Sequence, residues 1–336
     1  MKLSYPSYNK KTLKKVQQVL SSGRVNYWTG NECKEFEKEF SKYVGNKYAI
    51  TLSNGSVALE LALKALRLKK GDEIIVSPRS FIISASCVFS LGLKPIFADV
   101  DFNGNLSIEG IKGAYSKKVK AIIVVHLNGL SCDMDPILKF VKKNRIFLIE
   151  DCSQAHGASY KGNKVGSFGD VSTWSFCQDK IISTGGEGGM ISTNNKRLWL
   201  RLWSLKDHGK NYKSAFFKNH KTGFKWLHDD LGSNYRMTEI QATIGREQLK
   251  SLDKQIQKRN LIANLYINEL EDYYLKYKIF KRPDFKYPNH LSKKNNLSVH
   301  AFYRLNLFIN KNKINQNKLL EQFNKKKINC GVGACP

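Results

Sequence analysis

The feature that most constrains this chain is a set of short, unbroken apolar runs spread through its first two-thirds. Ile74-Ile75-Val76, Ile122-Ile123-Val124-Val125 and Ile146-Phe147-Leu148-Ile149 place no polar residue at alternate positions. A strand with one face in water alternates, whereas a strand covered on both faces reads as a continuous run. The strands expected on this basis are Tyr48–Leu52, Glu73–Val76, Pro95–Ala98, Ala121–Val125, Ile146–Ile149, Val171–Phe176 and Gly189–Thr193. Helical segments fall between them: Ser56–Leu66, Phe81–Leu91, and Asp135–Lys143 with Pro136 near its first turn. Val57 to Leu63 is apolar nearly all round, as a buried helix is. Strands alternating with helices predict an α/β fold, a mostly parallel mixed sheet flanked by helices.

At 336 residues the chain is longer than one compact core usually supports. The reading is a large domain over 1–250, including an N-terminal segment, and a smaller C-terminal α+β domain over 251–336. Near the change of character lie helices expected at Met237–Leu252 and Arg259–Glu271. A Lys/Asn-rich stretch over 276–296, with Pro283 and Pro288, reads as linker or surface, and His300–Leu307 reads as strand-like.

Composition excludes several classes. The net charge of +28 invites a nucleic-acid reading. The lysines are spread along the chain, however, without aromatic-basic interleaving, finger spacing or a recognition-helix pattern. They read as a solvated surface that also attracts anionic small substrates, with no specific nucleic acid as partner. The charge-free stretch from Ser80 to Leu93 is too short to span a bilayer, and no apolar core follows the N-terminal lysines, so no membrane partner is expected. Seven cysteines without a C-x-x-C pair suit reduced thiols in the cytoplasm, and the seven histidines show no metal-ligand spacing, so no metal is expected.

Three local patterns carry chemistry. Ser53-Asn54-Gly55-Ser56 opens the buried helix. It reads either as a phosphate cradle of free N–H groups and a hydroxyl or as an ordinary N-cap. Asp151, at the carboxyl end of the strand ending near Ile149, stands where ligand sites form in open α/β sheets. It could hold a ring nitrogen protonated or cap the next turn. Lys180 follows the strand ending at Phe176 and precedes Gly185-Gly186-Glu187-Gly188-Gly189. That is either a lysine set in a ligand-hugging turn or a hairpin with an incidental lysine.

Taken together, these patterns resemble the DegT/DnrJ/EryC1/StrS family of pyridoxal-5′-phosphate (PLP) sugar aminotransferases, a branch of fold-type I. The resemblance runs from about Asn26 to Leu252. It is carried by Tyr27-Trp28-Thr29-Gly30, Asn54-Gly55-Ser56, Glu150-Asp151-Cys152-Ser153-Gln154-Ala155-His156-Gly157, Ser175 five residues before Lys180, the glycine run, and Gly232-Ser233-Asn234-Tyr235-Arg236-Met237. The resemblance implies that Lys180 is the Schiff-base lysine and that Asp151 pairs with the pyridinium nitrogen. Gln154 would lie by the cofactor ring, and Phe81 would stack on it. Gly55, Ser56 and Ser175 would bind the phosphate. Asn234 would reach the phosphate in the neighbouring subunit of a homodimer with shared active sites, and Asp207-His208-Gly209 resembles a loop near that subunit. The implied activity moves an amino group, usually from glutamate, onto a nucleotide-linked keto sugar in amino-sugar or surface-polysaccharide biosynthesis. For the chemistry, burial and a cationic ring are expected to lower the pKa of Lys180.

Family members that dehydrate sugars carry histidine in place of the lysine, so Lys180 favours transamination over that alternative. A non-catalytic paralogue is the other alternative. The family normally continues several tens of residues beyond the point reached by Pro336. The expectation drawn from this is a less stable small domain, with PLP binding retained.

Overall fold

The computed structural model describes residues 6–217, 226–271, 273, 276, 280–281 and 298–333. Most of the expected 276–296 stretch therefore lies outside the described residues, as do His220, His290 and Cys335.

Two helices, α1 (Lys10–Ser21) and α2 (Glu32–Val44), precede the sheet. Then follow β1 (Tyr48–Leu52), α3 (Gly55–Ala65), β2 (Glu73–Val76), α4 (Ile83–Ser90), β3 (Lys94–Phe97), α5 (Ile108–Ala114), β4 (Val119–Val125), α6 (Met134–Asn144) and β5 (Phe147–Asp151). A small hairpin, β6 (Ser159–Tyr160) and β7 (Asn163–Lys164), leads into β8 (Val171–Ser175), β9 (Gly189–Thr193), α7 (Lys196–Lys206) and α8 (Tyr212–Phe217). Beyond these lie α9 (Glu239–Leu249), α10 (Leu252–Glu269), the short pair β10 (Phe280–Lys281) and β11 (Phe308–Ile309), and α11 (Gln316–Lys325).

The seven-stranded sheet has the order β1-β9-β8-β5-β4-β2-β3. β8, β5, β4, β2 and β3 pair in parallel, and β9 runs antiparallel to both its neighbours, β1 and β8. Two of the unbroken apolar runs are strands covered on both faces, since every residue of β2 is buried and only Lys120 of β4 is exposed; β8 and β9 are also wholly buried, while Phe147 at the start of β5 is exposed. On one side α3 and α7 pack through Leu59, Leu63, Leu202 and Trp203. On the other lie Phe36 and Phe40 of α2 with Trp174, Phe176 and Ile256. Burial of these side chains, worth about 1.5–3 kcal/mol each, supplies the main driving force.

α2 shows how remote sequence closes local structure. Asn31 makes no side-chain cap, so the Glu239 carboxylate of α9 accepts the N–H groups of Glu32 (2.5 Å) and Cys33 (3.3 Å) instead. A methyl group on Gly30 would sit 2.2 Å from that carboxylate, which explains why the Tyr27–Gly30 motif ends in glycine. Arg246, also on α9, then pairs with Glu32 and Glu39 of α2 at 2.7 and 2.6 Å.

The strand expected over His300–Leu307 is not formed. The segment touches the chain through an isolated bridge between Val299 and Ser159, and Phe302 takes a left-handed backbone (φ 44) that breaks any extended run. The N–H groups of Ala301 and Tyr303 bond instead to the carbonyls of Gly129 and Asn128. Helices α1, α2, α5, α7, α8 and α11 lie outside the segments the sequence reading gave as helical; α7 interleaves lysine and arginine with Leu and Trp, which hides its buried stripe.

β9 is inserted against the start of α3 so closely that a methyl group at Gly189 would lie 2.2 Å from the Asn54 carbonyl oxygen. Gly189→Ala is expected to cost about 1–3 kcal/mol, the usual price of overpacking. The check is a urea midpoint that falls while the m-value is unchanged.

Candidate active site

Period-two alternation at the end of β5 sends two neighbouring carboxyls to different surroundings. Glu150 is fully buried and accepts the N–H groups of Gly166 (2.7 Å), Phe168 (2.8 Å) and Gly169 (2.6 Å). Its fourth partner is His126 Nε2 at 3.0 Å. Because His126 Nδ1 accepts the Cys132 N–H (3.1 Å), its proton lies on Nε2 and is donated to Glu150. Glu150, His126 and Cys152 converge closely, yet these bonds already occupy the Glu150 and His126 ligand atoms.

Asp151 turns the other way, into a cavity of about 590 Å³ at the carboxyl ends of the parallel strands. It is 5% exposed and accepts the Ser153 N–H at 3.0 Å. Burial pushes its carboxyl above the usual range, against the Ser153 hydrogen bonds and the charge of Lys180. A buried carboxyl in this condition calls for a cationic partner.

The same cavity gathers Gly55, Ser56, Phe81, Gln154, Ser175 and Lys180. Asn54 caps α3 by accepting the Val57 N–H (2.9 Å), as the N-cap reading of this turn expects. The Gly55 and Ser56 N–H groups have no acceptor among the described residues and remain available to an anion at the helix N-terminus. Gly55 lets α3 approach β8: a methyl group there would meet Ser175 Cβ at 2.7 Å. Phe81 precedes α4 rather than starting it, which leaves its ring 54% exposed at the cavity. Gln154 Oε1 accepts the Asn128 N–H at 2.8 Å.

Lys180 stands in a turn anchored on both sides by buried Phe176, Ile181 and Ile182. Its Nζ donates to Asp179 Oδ2 (3.1 Å) and to Tyr303 Oη (3.5 Å). Burial works to lower its pKa, but the charges and hydrogen bonds of Tyr303 and Asp179 outweigh it and hold the ammonium above its ordinary value. The sequence reading counted burial and a cationic ring but not the neighbouring acid and phenol.

Asn234 stands apart. It is exposed and does not line the cavity of its own chain. The surrounding motifs hold one another instead: buried Asp207 accepts from Trp28 Nε1 (2.8 Å) and Arg236 Nη1 (2.7 Å) and pairs with Lys210 (3.1 Å). His156, between Trp174 and Phe176, is fully buried, and burial reinforced by the Lys180 charge brings its pKa down to about 3. Asp179 is a cavity residue to which the sequence reading assigned no role, whereas Tyr303 and Arg304 fall where the resemblance returns, loosely, to the active-site side, and both line the cavity.

These residues fit the PLP that the resemblance implies. An open anion cradle lies at Gly55–Ser56, a buried carboxyl lacks a cation, an aromatic face is exposed, and an amine opens onto the same space.

Comparison with known proteins agrees with the geometry. The model of the DegT/DnrJ/EryC1/StrS aminotransferase family matches residues 6–333. A GDP-perosamine synthase of Escherichia coli O157:H7 is 40% identical over 262 residues, 78% of this chain and 69% of that protein. The X-ray structure of the aminotransferase from Psychrobacter cryohalolentis superposes with a TM-score of 0.92 at 41% identity, covering 98% of this chain and 84% of that one. An E. coli GDP-4-keto-6-deoxy-D-mannose-3-dehydratase with bound hydrated PLP gives a TM-score of 0.82 at 29% identity, covering 98% and 85%.

Because Gly55 and Ser175 are in near contact, Gly55→Ala should push the cradle off the phosphate position. The expected result is PLP affinity weakened by about tenfold, measured by equilibrium titration of cofactor-free protein.

Proposed function

The chain belongs to the DegT/DnrJ/EryC1/StrS aminotransferase family, and on that premise we infer that it is a PLP-dependent sugar-nucleotide aminotransferase acting in amino-sugar or surface-polysaccharide biosynthesis. The observation that carries this reading is a lysine, Lys180, opening onto the same cavity as buried Asp151 and the Gly55–Ser56 cradle.

Bound PLP supplies an electron sink for the carbon that carries the amino group. The protein's part is orientation and proton handling. Gly55, Ser56 and Ser175 would hold the phosphate through N–H and hydroxyl groups. Asp151 would keep a proton on the ring nitrogen, since an ionised carboxylate and a cation in a buried site stabilise each other. Phe81 would cover one ring face and Gln154 would steady the ring edge. Lys180 Nζ would take a proton from the carbon bearing the amino group, as general base, and then give a proton back as general acid. Glutamate is the proposed donor and a nucleotide-linked keto sugar the acceptor.

A lysine at position 180 favours transamination over dehydration, which the resemblance associates with histidine there. A homodimer with shared sites is supported by the exposed apolar rim of Phe81 and Ile82 (69% exposed), by Leu231 (98% exposed), and by the outward position of Asn234. Buried, unbridged cysteines support a reducing compartment, the cytoplasm, and no described helix is long and apolar enough to cross a membrane.

Four outcomes are expected. Borohydride reduction of PLP-loaded protein, followed by digestion, should place a pyridoxyl group on the Lys180 peptide, and its absence there would remove the assignment. Incubation with glutamate and a panel of nucleotide-linked keto sugars should give an aminated sugar by mass spectrometry; Asp151→Asn should cut that turnover at least a hundredfold. Lys180→Ala and Asn234→Ala should each be impaired alone but recover activity when unfolded and refolded together. A mixed dimer then contains one site with an intact lysine and an intact partner asparagine. No recovery would argue against shared sites.

A further inference from the structure

Lys180, Asp179 and Tyr303 close a ring of hydrogen bonds. Nζ donates to Asp179 Oδ2 at 3.1 Å and to Tyr303 Oη at 3.5 Å, and the Tyr303 hydroxyl donates to the same Asp179 oxygen. The amine also lies 5.2 Å from the Tyr303 ring centroid. Tyr303 is held firmly for this contact. Its N–H bonds to Asn128 O at 2.9 Å, and Arg259 Nη1 donates to Phe302 O at 3.1 Å. Asn128 is in turn bound through its own N–H to Gln154 at 2.8 Å. Phe302 accepts a left-handed backbone at φ 44, a strained conformation for a bulky residue, to deliver the phenol.

We propose that Asp179 and Tyr303 are positioning residues that form a resting cradle for the Lys180 ammonium, and so set the pH at which this nitrogen becomes a nucleophile and base. This rests on the reading of Lys180 as the cofactor lysine. An ammonium has no lone pair. Before the nitrogen can attack a carbonyl carbon or take a proton from carbon, one N–H proton must pass to solvent, and the cradle opposes that loss.

Asp179 comes from its own turn, Tyr303 from the segment after α10, and Asp151 from the end of β5; all three favour the charged amine. Arg304 acts on Tyr303 and favours its ionised form. His156 is neutral above about pH 3 and adds no charge near neutrality. Burial alone favours the free amine. With the Asp179 charge removed, burial is opposed by less, and Lys180 gives up its proton at lower pH.

The test uses the whole cofactor-free chain and an amine reagent, 2,4,6-trinitrobenzenesulfonate, over a pH series. Modification of Lys180 is quantified by peptide mass spectrometry, with other lysines as internal references. Asp179→Asn should move the Lys180 midpoint to lower pH and raise its rate near neutrality about three- to tenfold. Tyr303→Phe should act in the same direction and less strongly, and Asp179→Glu should restore the wild-type profile. Asp179→Asn and Tyr303→Phe profiles that superimpose on wild type would overturn the cradle. Borohydride trapping of PLP on wild type tests the cofactor assignment separately: a missing pyridoxyl adduct with a persisting pH shift removes that assignment and leaves the cradle intact.

Discussion

The structure depends on how two adjacent buried carboxyls at the end of β5 are treated. A carboxylate withdrawn from water must be paired or richly hydrogen-bonded, or it shifts its pKa and becomes neutral. Glu150 receives four donors, from the 166–169 loop and His126, and so locks β4, β5 and the loop into one body. Asp151, one residue on and facing the opposite way, is given a single backbone N–H and is pushed toward its neutral form by burial. The first is a completed interaction and the second an unmet one. The fold uses the rigidity supplied by Glu150 to hold Asp151 in a state that a cationic ligand group would relieve.

The same economy explains which motifs were legible as structure and which as chemistry. The unbroken runs at Ile74–Val76 and Ile122–Val125 revealed the sheet because two-sided burial leaves no polar alternation. Gly55, Ser56, Ser175 and Lys180 were legible because strand ends and glycine-rich turns mark where backbone approaches a ligand, and the cavity collects them. Tyr27–Gly30, Asp207–Gly209 and Gly232–Met237 were equally conspicuous, yet within one chain they mostly hold each other through Asp207, Trp28 and Arg236. What stayed hidden depends on distance along the chain. Glu239 capping α2 joins residues 207 positions apart, and Tyr303 reaching Lys180 joins residues 123 apart. Neither pairing leaves a local period or a spacing to read. The strand expected over His300–Leu307 failed for a related reason: its apolar residues serve a tight docking against Asn128 and Gly129, not a ladder.

The charge of the chain also looks different once the fold is known. A surplus of +28 suggests a protein dominated by cation repulsion. Inside, the basic groups are handled one at a time. Arg246 is matched by Glu32 and Glu39, and Arg236 and Lys210 share Asp207. Lys206 is buried completely, with Nζ 3.4 Å from the Tyr27 ring centroid and 3.9 Å from Glu37, and its pKa is lowered by burial. The surplus is therefore largely a surface property.

Lys206 and Lys180 together show what makes a lysine reactive in one place and structural in another. Burial drives both toward the neutral amine, and each faces an acid and a tyrosine. Lys206 has no exposed surface, and its ring of Tyr27, Trp203 and Glu37 leaves no room for a carbonyl compound. Lys180 keeps 18% of its side chain exposed, at the edge of a cavity that also holds Asp151 and the start of α3 at Gly55–Ser56. Desolvation by itself does not define a catalytic amine. What separates Lys180 from Lys206 is an open path from the amine to a space that also holds a buried carboxyl and unbonded backbone N–H groups.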